Sequence, residues 1–282
     1  MGLTTMSETT ASSATHRVAA LLACAASLWL VACANTGDGQ GQRGGAPTDS
    51  IVTASDEPEN RRRARTRLEL ASGYFSEGKV TVALDELKLS LQADPNYGEA
   101  YNLRGLVYMR LGDPRQAEDS FRRALQLNSR DADTLHNYAW LMCQQRRYDE
   151  SIAMFTQANA IPLYSGQPKT YMSRGLCELA AGKKPEAERS FARSYELDAS
   201  NPISGYNLSQ LLFERGELQR AQFYIRRLNN TDLANSETLW LGIKVERRLN
   251  NQQTVDQLVT QLRRRYPQSK ELGSYERGAF DE

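Results

Sequence analysis

Residues 98–130 read GEAYNLRGLVYMRLGDPRQAEDSFRRALQLNSR and carry the pattern of two helices folded back on each other. Large residues in such a pair fill the space between the helices, and small residues let the backbones approach. Gly112, Asp113 and Pro114 fall together between the two helical segments and predict the turn. The residues that carry the large-and-small pattern are Tyr101, Gly105, Tyr108, Ala117, Phe121 and Ala124.

The same pattern recurs along the chain at intervals of 34, 34, 36, 34 and 33 residues. The small residue of the first helix falls at Ala71, Gly105, Ala139, Gly175, Ser209 and Gly242. The small residue of the second helix falls at Ala83, Ala117, Ser151, Ala187, Ala221 and, as the weakest match, Thr254. The large residue four positions later is Leu87, Phe121, Phe155, Phe191, Ile225 or Leu258. We therefore predict an all-α protein in which six tetratricopeptide-like repeats, over residues 60–266, stack into a superhelical solenoid.

The concave groove of such a solenoid suits a peptide or a partner helix better than a small substrate. The resemblance to tetratricopeptide repeats implies that set positions of the first helix face the groove. Leu68, Phe75, Leu106 and Met109 would form an apolar trough in the first two units. Further along, the predicted groove residues are Asn102, His136, Trp140, Tyr206 and Gln210, with Asn207 at the edge. An alternative is that Phe75, Met109 and Trp140 simply pack between helices.

Residues 1–32 have the pattern of a secretion signal. His16 and Arg17 precede an apolar run over residues 18–32, which is too short to span a bilayer. The run ends in Leu30, Val31, Ala32 and Cys33, a tetrapeptide that resembles the bacterial lipobox, in which the cysteine receives the lipid. We expect lipidation at Cys33, the alternative being a plain secretory signal. By the sorting pattern of lipoproteins, Ala34 in place of an aspartate favours the outer membrane, with the protein on its periplasmic face.

Two further segments flank the predicted repeats. Residues 33–59 are rich in Gly, Asp, Ser and Thr, and we predict a flexible linker with a reach of roughly 25 to 30 Å. Residues 267–282 are predicted to form a short capping tail that covers the last repeat and then becomes disordered. The connection over residues 160–169 is longer than the others and carries two prolines.

Composition and motifs argue against several function classes. The chain has 35 basic and 34 acidic residues, a net charge of +1, which gives no electrostatic footprint for nucleic acid. His136 is the one histidine after the signal, and we find no nucleotide-binding, hydrolase or zinc-protease motif. We expect a protein-binding module with no cofactor and no metal, and not an enzyme.

Cys143 and Cys177 remain once Cys33 is lipidated and the signal is removed. They fall in the first helices of neighbouring units, so an oxidising compartment would allow a disulfide between them. They could instead be two independent small core residues. A metal site would need His136 as a third ligand and would still lack a fourth.

Three segments go beyond the generic repeat: residues 136–155, HNYAWLMCQQRRYDESIAMF; residues 173–191, SRGLCELAAGKKPEAERSF; and residues 236–249, SETLWLGIKVERRL, with QLRRRYPQSKE following at 261–271. Together they resemble the PilF/PilW family of type IV pilus biogenesis lipoproteins. The resemblance implies six repeats behind a lipidated Cys33, and a disulfide between Cys143 and Cys177. It also implies a pilotin-like or pilus-stability role with the outer-membrane secretin as partner. The rival function is a general scaffold lipoprotein that serves peptidoglycan enzymes or outer-membrane protein assembly.

Overall fold

The computed structural model describes residues 56–280, which contain thirteen α-helices and no strand. The helices are α1 Glu59–Ser76, α2 Val80–Ala93, α3 Gly98–Leu111, α4 Pro114–Leu127, α5 Ala132–Gln144, α6 Tyr148–Asn159, α7 Gln167–Ala180, α8 Lys184–Leu197, α9 Pro202–Glu214, α10 Leu218–Asn229, α11 Ser236–Arg248, α12 Gln252–Arg265 and α13 Lys270–Glu276.

The first twelve helices form six consecutive pairs. Each odd-numbered helix packs most closely on the helix that follows it, and the second helix of a pair then packs on the first helix of the next. Further contacts join first helices of neighbouring pairs, such as α3 with α5 and α5 with α7. The predicted all-α solenoid of six helix pairs is confirmed.

The small residues of the repeat are required by a close approach inside each pair. A Cβ added at Gly105 would lie 2.4 Å from the ring of Phe121, and one added at Gly175 would lie 2.8 Å from the ring of Phe191. Both rings are fully buried. The pair can therefore keep a large aromatic on its second helix only if the first helix has almost no side chain opposite it.

Polar side chains cap two of the helices that begin with proline. Asp113 accepts a hydrogen bond from the Gln116 backbone N–H, which caps α4 ahead of Pro114. Asn201 caps α9 in the same way through the Ser204 backbone N–H. At the start of the array, α1 begins at Glu59 rather than at the predicted Asn60, and no side chain caps it.

The tail closes the last pair. The short helix α13 packs on α11 and α12, and its Leu272 joins their apolar cluster. Phe280 then stacks on Trp240 with ring centroids 5.2 Å apart. The predicted disorder after the capping segment is therefore wrong as far as Phe280, because an aromatic pair holds that residue on α11.

Residues 1–55 lie outside the described part of the chain, and with them the predicted signal, Cys33 and almost all of the predicted linker. Within residues 56–280, none of the helices combines the length and the apolar character needed to cross a bilayer.

Candidate functional site

The predicted apolar trough consists of side chains that are each partly covered. Leu68 and Phe75 on α1 are half-buried and pack against the cluster that includes Ala71 and Leu87. Leu106 and Met109 on α3 are half-buried in the same way, against the cluster that includes Phe121. The sequence left two alternatives for such residues, lining the groove or packing between helices. Both describe part of this arrangement, since one side of each residue fills the core and the rest remains accessible.

Amide and aromatic side chains continue along the first helices of the next units. Asn102 on α3 accepts a hydrogen bond of 3.0 Å from the side-chain amide of Asn137 on α5. Trp140 on α5 is half-buried beside Cys143 and Phe155. The hydrogen bond between Asn102 and Asn137 joins the neighbouring first helices α3 and α5, so this part of the surface is held in one arrangement.

The prediction that His136 lines the groove is wrong. Only 5% of the residue is exposed, so it cannot line an open groove. Its Nδ1 lies 2.8 Å from Thr170 Oγ1 on α7. The Thr170 hydroxyl donates to Tyr164 Oη, and Tyr164 donates to the Asp133 carboxylate. This direction of donation places the proton of the neutral imidazole on Nδ1. Burial, with a smaller effect of Lys169, lowers the pKa of His136 to about 4.

Cys143 and Cys177 are joined by a disulfide, with their Cα atoms 5.8 Å apart. The bridge links α5 to α7, the first helices of the third and fourth units. Cys177 is fully buried, and its sulfur lies 3.3 Å from the hydroxyl of Ser151. Both sulfurs are consumed by the bridge, so neither serves the metal alternative. Among the described residues, no group of three or more His, Cys, Asp or Glu side chains is placed to hold a metal ion.

The C-terminal end of the groove contains a cleft of about 290 Å³, which we name the mixed cleft. Two predicted residues, Tyr206 and Gln210 on α9, line it. Asn207 does not, since its amide donates to the Ile203 carbonyl on its own helix. The other lining residues are Glu237, Trp240, Leu241 and Lys244 on α11 with Lys270, Glu271 and Ser274 on α13.

Trp240 and Lys244 were missed because the repeat rule fails in the last unit. The positions equivalent to Tyr206 and Gln210 are Leu239 and Ile243, and both are fully buried. They belong to the apolar cluster that Leu272 of α13 completes. The residues that follow them in the sequence, Trp240 and Lys244, line the cleft instead. A run in which Leu239, Trp240 and Leu241 are all apolar was the available signal that two faces of α11 are covered.

Comparisons with known proteins agree with this geometry. A sequence model of the tetratricopeptide repeat matches residues 96–162. The type IV pilus assembly protein PilF of Pseudomonas aeruginosa is 27% identical over 209 residues, which cover 74% of this chain and 83% of that protein. An uncharacterized protein of Haemophilus influenzae is 25% identical over 135 residues, which cover 48% of this chain and 75% of that protein.

Two solved structures are similar over most of their length. The structure of Pseudomonas aeruginosa PilF matches with a TM-score of 0.72 and 25% identity, covering 78% of this chain and all of that one (100%). The crystal structure of PilW, described as a widely conserved type IV pilus biogenesis factor, matches with a TM-score of 0.66 and 27% identity, covering 75% of this chain and 97% of that one. The resemblance inferred from the sequence segments is thereby confirmed.

Proposed function

We propose that this PilF/PilW-like tetratricopeptide repeat protein works in type IV pilus biogenesis as a pilotin-like assembly or stability factor, and that its groove binds a segment of the secretin. PilF is named as a type IV pilus assembly protein and PilW as a pilus biogenesis factor. The similarity to both covers about three quarters of this chain, so it supports transfer of the role to the repeat array as a whole.

The observation that carries the binding role is the row of half-buried apolar residues on α1 and α3. Leu68, Phe75, Leu106 and Met109 are large apolar side chains whose inner sides are packed and whose outer sides are accessible. Partly accessible apolar side chains on successive first helices fit a hydrophobic strand or the apolar face of an amphipathic helix. Because the core contacts hold these side chains in place, a partner would lose little entropy on ordering them.

The proposal places the protein at the outer membrane through a lipid on Cys33, a residue outside the described part of the chain. The tetrapeptide that ends in Cys33 supports lipidation, and the segment from Ala34 to α1 would act as the tether. A multiply acylated cysteine gives a stable anchor where a single acyl chain does not. Lipidation would then supply the location, and the repeats would supply recognition of the secretin.

The test is the amount and location of heat-resistant secretin multimer in membranes. We expect a strain without the protein to lose the multimer or to retain it in the inner membrane, and a Cys33→Ala variant to mislocalise it. A Leu106→Gln variant should reduce the multimer because it places an amide in the apolar row. The matched control is Leu89→Gln on α2, where the leucine is 40% exposed and belongs to a second helix.

Two results would reject the secretin role. The first is normal, correctly placed multimer in the strain without the protein. The second is normal multimer with the Cys33→Ala variant. Equal losses with Leu106→Gln and Leu89→Gln would reject the groove as the binding face, since both variants replace a leucine by glutamine but only Leu106 belongs to the apolar row.

A further inference from the structure

The two ends of the helical array are covered differently. At the C-terminal end, α13 and Phe280 pack over the last helix pair. At the other end, no described helix precedes α1, and one side of α1 is left exposed or half-buried. Leu70 on this side is 43% exposed. We name this side the end face, and it consists of Thr66, Leu70, Gly73 and Tyr74.

The end face has the residue types of an interface between units. By the repeat register, Leu70 and Tyr74 of the first unit are equivalent to Leu208 and Leu212 of the fifth. Both of those leucines are fully buried, in a cluster with Phe191 from the second helix of the preceding unit. The first unit therefore keeps large apolar residues at positions that a preceding helix covers elsewhere, and a solenoid needs its terminal apolar face to be covered.

A cleft of about 420 Å³, which we name the end cleft, lies on this face and is lined by Thr66, Glu69, Leu70, Gly73, Tyr74 and Glu77. A Cβ added at Gly73 would meet nothing within 4 Å, so the floor of the cleft is open. Its two carboxylates are paired within the chain, Glu69 with Arg65 at 3.1 Å and Glu77 with Lys79 at 2.7 Å. With the acidic groups neutralised in this way, the cleft suits small aliphatic side chains better than a cation.

The residues that lead into α1 lie beside the end cleft. One nitrogen of the Arg65 guanidinium is 3.0 Å from the Glu57 carboxylate, and another is 3.1 Å from the Glu69 carboxylate. Glu57 belongs to the segment before α1, and Glu69 lines the cleft. The shared guanidinium therefore places the end of the leading segment next to the cleft.

The chain before Glu57 is long enough to reach the end cleft. Leu70 lies about 17 Å along α1 from Glu59, at a rise of about 1.5 Å per residue. A chain that runs from Glu57 back to Ile51 can span up to about 20 Å. Within residues 34–55, the sequence has two large aliphatic residues, Ile51 and Val52, and they fall at this distance.

We propose that residues 50–53 dock on the end face of α1, with Ile51 and Val52 in the end cleft against Leu70 and Tyr74. The chain then covers its N-terminal end with its own leading segment, as its tail covers the other end. Because the segment is covalently joined to α1, its effective concentration at the cleft is high and a weak apolar contact is sufficient.

Docking would divide the predicted linker into a bound part and a free part. Residues 34–50 would remain as the free tether, with a reach of roughly 20 to 25 Å. The α1 end of the array would then be the end nearest to a lipid on Cys33. The contact itself depends neither on lipidation nor on a secretin partner, so it can hold whether or not the proposed function does.

The test is photo-cross-linking of the full mature chain in detergent, with p-benzoylphenylalanine in place of Val52. After irradiation and digestion with trypsin, we expect a cross-link to the peptide of residues 68–79, LELASGYFSEGK, which contains most of the end cleft. In a mixture of unlabelled and ¹⁵N-labelled protein, the cross-link should form within one chain. Ile51→Asp should lower the yield about tenfold, because it places a charge in an apolar cleft. The control Ala46→Asp adds the same charge outside the docked segment and should leave the yield unchanged.

Hydrogen exchange tests the same contact without a probe. Ile51→Asp with Val52→Asp should speed exchange of the amides of residues 68–79 about tenfold, because two buried aliphatic side chains no longer protect the helix. Ala46→Asp with Thr48→Asp is the matched control and should have no effect.

Four results would overturn the proposal. Cross-links between labelled and unlabelled chains would assign the end face to a second copy of the protein. Cross-links to the peptide that contains Leu106 and Met109 would place the segment in the groove. Equal yields with Ile51→Asp and Ala46→Asp, or unchanged exchange in the double variant, would show that no apolar docking occurs. Because Ile51 and Val52 precede the helical array, these variants leave its core intact.

Discussion

Replacing Gly105 by alanine tests whether the close approach inside each helix pair sets the repeat pattern. Alanine is a better helix former than glycine by about 1 kcal/mol, so the substitution should stabilise an unconstrained helix. At Gly105, however, the new methyl group would lie 2.4 Å from the fully buried ring of Phe121. Overpacking of this kind costs about 1 to 3 kcal/mol. We expect the cost to exceed the gain and the protein to lose stability.

Gly73 supplies the matched control, because a Cβ added there would meet nothing within 4 Å. It lies near the exposed end of α1, so Gly73→Ala should raise the melting temperature while Gly105→Ala lowers it. The two variants should differ by about 1 to 3 kcal/mol, or roughly 2 to 10 °C for an array of this size. Thermal unfolding followed by circular dichroism at 222 nm measures the difference.

A third variant isolates the contact itself. Phe121→Leu shortens the side chain opposite Gly105, so the double variant should be more stable than the sum of the two single losses allows, by about 1 kcal/mol. The reasoning is refuted if Gly105→Ala stabilises the protein as much as Gly73→Ala does. It is also refuted if the two substitutions in the double variant are simply additive.

Three further predictions concern the bridge and the buried polar groups. Replacing Cys143 and Cys177 by serine should lower the free energy of unfolding by about 4 kcal/mol, because a bridge between cysteines 34 residues apart restricts the unfolded chain. The unchanged chain in reductant should unfold at the same denaturant concentration as the variant. A smaller loss would refute the explanation by loop entropy. Because the pKa of His136 is lowered to about 4, protonation favours the unfolded chain, so about 3 kcal/mol of stability should be lost as the pH falls from 6.5 to 4. That loss should be missing from His136→Gln in denaturation curves across this range, and a parallel loss in the variant would assign it to other groups. Glu246→Ala should lower the free energy of unfolding by about 3 to 5 kcal/mol. This fully buried carboxylate accepts hydrogen bonds of 2.9 Å from the Arg226 side chain and 3.0 Å from the Asn251 amide. The control Glu196→Ala breaks an exposed ion pair and should lower the free energy of unfolding by less than about 1 kcal/mol, with both variants measured by urea titration.

The repeat period predicted most of the fold because equivalent residues pack in equivalent ways from unit to unit. Phe121 opposite Gly105 and Phe191 opposite Gly175 are the same close approach in two different pairs. A contact that repeats in the structure requires residue types that repeat in the sequence, and six such repeats in register are enough to define a solenoid. The sequence could therefore predict the pairs, their order and the faces that pack.

Residues at the two irregular places could not be predicted in this way. The repeat rule assigns His136 to the groove, but the lengthened connection before α7 brings Tyr164 beside Thr170, and Thr170 then pairs with the imidazole. In the last unit, α13 covers Leu239 and Ile243, whereas the equivalent Tyr206 and Gln210 remain partly accessible, so the cleft is lined by Trp240 instead of Leu239. Both outcomes depend on contacts that occur in one unit and not in the others. Such contacts produce no repeating residue pattern in the sequence.

The junction between the third and fourth units is held by a disulfide and by side-chain hydrogen bonds. The interval between equivalent residues rises there to 36, from Ala139 to Gly175, so the standard stacking of one unit on the next is not guaranteed by the repeat alone. Across this junction, α5 and α7 are joined by the disulfide and by the hydrogen bond between His136 and Thr170, and Tyr164 adds a bond to Asp133.

These links lie between the part of the groove that carries the apolar row on α1 and α3 and the part that ends in the mixed cleft. A partner that contacted both parts would gain the full binding free energy of both contacts only if the spacing between them were fixed before binding. A disulfide at the one lengthened junction holds that spacing, while the four shorter intervals have no disulfide among the described residues. The bridge between Cys143 and Cys177 therefore fixes the spacing of the third and fourth units in addition to stabilising the fold.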